Sequence, residues 1–94
     1  MRIEVGKTYK SREGRLIKIK KGISPLVDES GKEYRDGWNG VYWGDSCDKK
    51  KPKIDNERYE FDGRYWNYLS PFSMAGYQEI RSSGDDLIEL VDLN

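Results

Sequence analysis

The stretch ERYEFDGRYWNYL, Glu57 to Leu69, decides the fold class. Tyr59 and Phe61 alternate with Arg58 and Glu60, and after Asp62-Gly63 the residues Tyr65, Asn67 and Leu69 alternate with Trp66 and Tyr68. A period of two is the signature of a strand with two unlike faces. Asp-Gly between two such runs predicts a tight hairpin of type I′. The arms are too short to bury a face alone, so the chain must supply partner strands.

Those partners can be read on both sides. VGKTYKSREGRLIKIKK (Val5–Lys21) predicts a hairpin turned at Gly14, with Ile17 and Ile19 on one face and Lys18 and Lys20 on the other. ISPLVDESGKEYR gives a proline-marked entry, a short apolar pair and the turn ESGK; Pro25 argues against a central strand there. GWNGVYW predicts a strand, followed by an exposed, lysine-rich loop over 44–56. A second long link covers 70–84, with a short strand expected around Tyr77–Ile80. DDLIELVDLN predicts a brief turn at 85–87 and then a strand. The sum is an all-β fold: a single domain over 1–94, a small antiparallel barrel or sandwich of five to seven short strands with little helix.

Composition narrows the chemistry. The chain has 94 residues, 36% charged and 35% hydrophobic, yet 13% aromatic, which marks a folded domain rather than a disordered one. Net charge is zero. It is uneven: residues 1–53 carry 14 Lys/Arg against 8 Asp/Glu, and residues 54–94 carry 3 against 9. There is no histidine, which removes the commonest general base and metal ligand. Cys47 is the one cysteine, so no disulfide framework forms within the chain. Cys47 with Asp45 and Asp48 matches no zinc spacing. Asp85-Asp86 and Asp28-Glu29 are adjacent pairs whose members point to opposite faces of a strand. No catalytic residue, metal ligand or cofactor is expected. The start MRIEVGKTYK lacks an apolar leader, and no run reaches membrane-spanning length, so a cytosolic protein is expected.

Binding residues are sought among the aromatics. Strand alternation splits each Tyr-Trp pair between faces. Trp43 shares its side with Val41 and Tyr65 with Leu69, so these are expected in the core. Tyr42, Trp66 and Tyr68 are then the outward contact candidates, with Arg64 and the loop lysines Lys49, Lys50, Lys51 and Lys53. An exposed aromatic patch suits a protein partner. Aromatics beside basic residues also suit a nucleic-acid or nucleotide binder that stacks bases and uses the Lys49–Lys53 loop, though zero net charge weighs against nucleic acid.

VGKTYKSREGRLIKI near the start, DGRYW late and DDLIELVD at the end resemble a loose group of small phage-encoded, SH3-like β-barrel proteins, mostly of unassigned function. The resemblance covers roughly residues 3–20 and 60–92. It implies an SH3-like fold and a phage origin; joined to the outward aromatic patch, it gives the expectation of a phage accessory protein in the host cytosol that binds and inhibits or redirects a host or defence protein. A structural part of a phage particle is the remaining reading. The resemblance transfers no catalytic residue.

Overall fold

The structure is a computed structural model that describes residues 1–66 and 84–91. Among these residues seven strands follow in order: β1 (Thr8–Ser11), β2 (Leu16–Gly22), β3 (Leu26–Val27), β4 (Glu33–Tyr34), β5 (Val41–Ser46), β6 (Glu57–Glu60) and β7 (Leu87–Val91). No helix occurs among the described residues. All pairings among the described residues are antiparallel. Five strands form one curled sheet in the order β6-β5-β2-β1-β7, and β3 and β4 make a separate ribbon. The fold is a small all-β half-barrel.

One turn device recurs three times among the described residues. In Ser11–Arg15, Asp28–Lys32 and Glu60–Arg64 the first carbonyl accepts from the N–H three residues on, and the first N–H donates to the carbonyl four residues on. The residue before the last is Gly14 (φ 90°), Gly31 (φ 88°) or Gly63 (φ 95°). This is the three-residue hairpin loop, a type I turn closed by a left-handed residue, which only glycine takes without strain. The expected type I′ turn at Asp62-Gly63 is therefore corrected: that type needs positive φ at both residues, and Asp62 does not have it.

The core lies on the concave face. Ile3, Tyr9, Ile17, Ile19, Tyr42, Tyr59 and Leu87 form one buried cluster, with Ile54, Phe61 and Tyr65 packed against it. Alternation in β2 holds as expected: Ile17 and Ile19 point inward while Lys18 and Lys20 stay exposed. The Glu60–Arg64 turn docks on this cluster: the Ile3 N–H donates to Phe61 O at 2.9 Å and the Leu87 N–H to Gly63 O at 2.8 Å.

Two expectations change in β5. The strand runs on to Ser46, because Ser46, Asp45 and Gly44 pair with Ile17, Lys18 and Ile19. The lysine loop therefore begins after it. Tyr42, expected outside, is buried at 5% exposure, and Trp43, expected in the core, is half-buried on the other face. Val41 and Trp43 do share a side. That side is the convex one, where Val41 is buried without belonging to the core cluster. Tyr42 fits inward because Gly22 lies opposite; a Cβ there would overlap its ring. The strand expected at Tyr77–Ile80 lies outside the described residues.

Candidate aromatic and cationic docking site

The convex face carries a row across three strands. Trp43 in β5 pairs with Lys21 in β2 on one side and with Arg58 in β6 on the other. Directly paired residues project to the same face, so the row is indole between two cations. A register shift between Ile19 and Lys21 brings Lys21, rather than Lys20, opposite Trp43. Lys20 turns to Asp45, 3.1 Å away.

Trp38 and Trp66 complete the site. Asp36 and Asn39 exchange both backbone hydrogen bonds at 3.0 Å, leaving Gly37-Trp38 as a two-residue loop. Gly37 has φ 60° at the first central position, as a type II′ turn requires. That places Trp38 at the second central position, 51% exposed. The Tyr59–Tyr65 bridge carries the chain back along β6, and the Trp66 N–H donates to Arg58 O at 3.1 Å. Trp38 stacks on Trp43 at 5.9 Å between centroids, with planes 25° apart, and on Trp66 at 5.5 Å and 28°.

Cations lie against these rings. Lys21 Nζ is 5.0 Å from the Trp43 centroid. Arg58 lies 4.3 Å from that of Trp66 and 5.8 Å from that of Trp38. Arg35 lies 5.7 Å from Trp66. Each distance is within cation–π range. Arg35 is anchored behind by Glu60 at 3.2 Å, both side chains over 90% buried. Burial raises the Glu60 carboxyl above its usual range, against the pull of Arg64 and Arg35. Trp66 Nε1 is buried with no hydrogen-bond partner among the described residues. Its indole is therefore held by stacking and cation contact rather than by its polar handle.

The residues singled out from the sequence scatter. Trp66 is in the site. Tyr42 is in the core, its hydroxyl accepting from Arg2 at 3.0 Å. Arg64 is turned back to Asp62 at 2.8 Å. Tyr68 lies outside the described residues. Lys49, Lys50, Lys51 and Lys53 are exposed on a loop packed on the β1–β2 turn, where Lys50 O accepts from Arg15 at 3.2 Å. From Ile17, where that loop leaves the sheet, to Lys21 is four residues of strand, roughly 13 Å. The lysine loop and the tryptophans are thus at different ends of the sheet. Cys47 is exposed, its N–H donating to Leu16 O at 2.9 Å.

Among the described residues no cluster of Cys, Asp and Glu could hold a metal, and no helix is long and apolar enough to cross a membrane. Comparison with protein families, curated proteins and solved structures found no match.

Proposed function

We propose that this domain acts by binding, without catalysis, and that it docks a protein partner on the face formed by Trp38, Trp43 and Trp66. The observation that carries the reading is Trp38, held half-exposed at a turn and stacked on both other tryptophans. A large apolar ring kept in water on a rigid scaffold gains its free energy when a partner covers it. Tryptophan and arginine together are the residue types that dominate binding hot spots. Rigid stacking also lowers the entropy lost on docking.

A protein partner suits the site better than nucleic acid. The rings are stacked on one another or met by the chain's own cations, so a base would have to displace Lys21 or Arg58 to stack. The lysine loop also stands apart from the rings. The resemblance to phage-encoded proteins extends the reading to an accessory protein that inhibits or redirects a host or defence protein in the host cytosol. That extension rests on the sequence motifs alone.

The test is affinity capture from bacterial lysate with the wild type and Trp38→Ala side by side. Partners held by the wild type and lost by the variant are expected. Identical capture by both, or none by either, overturns the reading.

A further inference from the structure

We infer that the partner meets this site with carboxylates: an acidic protein segment that flanks an apolar anchor seated on the tryptophans. The inference rests on the docking reading above and is carried by the charge balance of the convex face. Two carboxylates of that face are already engaged. Asp45 takes Lys20 at 3.1 Å and the Asn56 N–H at 2.7 Å. Glu60 takes Arg35 at 3.2 Å. The cations at the two ends of the row, Lys21 and Arg58, have no ion pair among the described residues. Their close contacts are with indoles.

A cation resting on a ring keeps its charge and most of its donors. Arg58 has five N–H donors and Lys21 three, and a π face satisfies neither set. Both are therefore set to donate to oxygen ligands at the rim of an apolar centre, the arrangement of a hydrophobic core with a charged rim. Complementary carboxylates would raise the association rate and fix register. Phosphate could supply the same charge, so the experiment separates the two sources.

The probe is a short peptide of glutamates flanking one phenylalanine, titrated against the tryptophan fluorescence of the full chain. An oligothymidylate of matching length is the second probe. The peptide is expected to bind, to weaken about tenfold or more in Lys21→Glu and Arg58→Glu, and to weaken with added salt. Substituting Lys49, Lys50, Lys51 and Lys53 by Ser should leave it unchanged. Lys21 is exposed, so its variant keeps the fold even where the Arg58 variant does not; circular dichroism checks both. Absent binding, or binding indifferent to Lys21→Glu, overturns the acidic segment and leaves the docking reading standing if Trp38→Ala still abolishes capture. Equal peptide binding by Trp38→Ala overturns both. Tighter binding of oligothymidylate overturns the acidic segment in favour of nucleic acid.

Discussion

The Trp38 indole lies 5.5 Å from that of Trp66, their planes 28° apart. One ring comes from a two-residue turn and the other from the segment beyond the Glu60–Arg64 turn. Neither element pairs with the other. The stack is therefore a tertiary contact, and it joins the edge of the sheet to the Asp36–Asn39 turn. Its removal can be read separately from the core.

Trp38→Ala should lower stability by only about 1–3 kcal/mol, the range of its two aromatic pairs beyond area burial. The ring is already half in water, so little transfer free energy is lost. Urea denaturation measures the stability change. A stability loss above about 3 kcal/mol would place Trp38 in the core and undo the docking site.

Gly63 should tolerate no side chain. Its φ is 95°, and a Cβ would stand 2.8 Å from the Leu87 carbonyl oxygen. That oxygen belongs to backbone in β7 and cannot rotate away. Gly63→Ala should cost about 2–4 kcal/mol, from left-handed strain and the displaced strand together. Gly31 also has positive φ but meets nothing within 4 Å. Gly31→Ala should cost only about 1–2 kcal/mol. Thermal melts of the two variants compare them, and equal losses would refute the close approach at Gly63.

The Tyr65 hydroxyl donates to Glu57 Oε1 at 2.6 Å. That bond, with burial second, pushes its pKa from 10.0 up to about 12. The folded state then holds the proton more tightly than the unfolded state does. Its contribution to stability is complete below pH 10.0 and is lost as pH rises towards about 12. Tyr65→Phe should flatten this part of the stability curve. Urea denaturation at stepped alkaline pH measures it; an unchanged slope would mean that the Glu57 bond does not persist in solution.

The hairpins were legible because their decisive residues act locally. Gly14, Gly31 and Gly63 each occupy a left-handed position, and each is flanked by alternating or apolar residues that mark the arms. The alternation of β5 was legible too, but not which face was the core. Val41 suggested the inside, yet it is buried on the convex side, where its N–H donates to Trp38 O at 3.1 Å. An apolar residue buried outside the main cluster looks identical, in sequence, to one inside it. The candidate site was half visible. Trp66 could be found from alternation alone. Trp38 could not, because what makes it a site is Trp43 and Trp66 brought beside it by the register of β5 with β6 and by the chain's return along β6. The two-residue turn in RDGWNG was the available signal, since a bulky indole at a turn has no local reason to be there.

The face assignment of the Tyr42-Trp43 pair gives the sharpest contrast. Tyr42 is in the core cluster, its ring filling the space that Gly22 leaves open and its hydroxyl accepting from Arg2. Tyr42→Ala should cost about 3–5 kcal/mol, as for other large-to-small core changes. Trp43 is half-buried on the convex face between Lys21 and Arg58. Trp43→Ala should cost less, about 1–2 kcal/mol, because its ring loses one stacking partner and one cation while the core stays filled. Partner capture should fall with Trp43→Ala. Chemical denaturation of both variants gives the order directly. If Trp43→Ala proves the more damaging, the convex face is a second core and the tryptophans are structural rather than a docking surface.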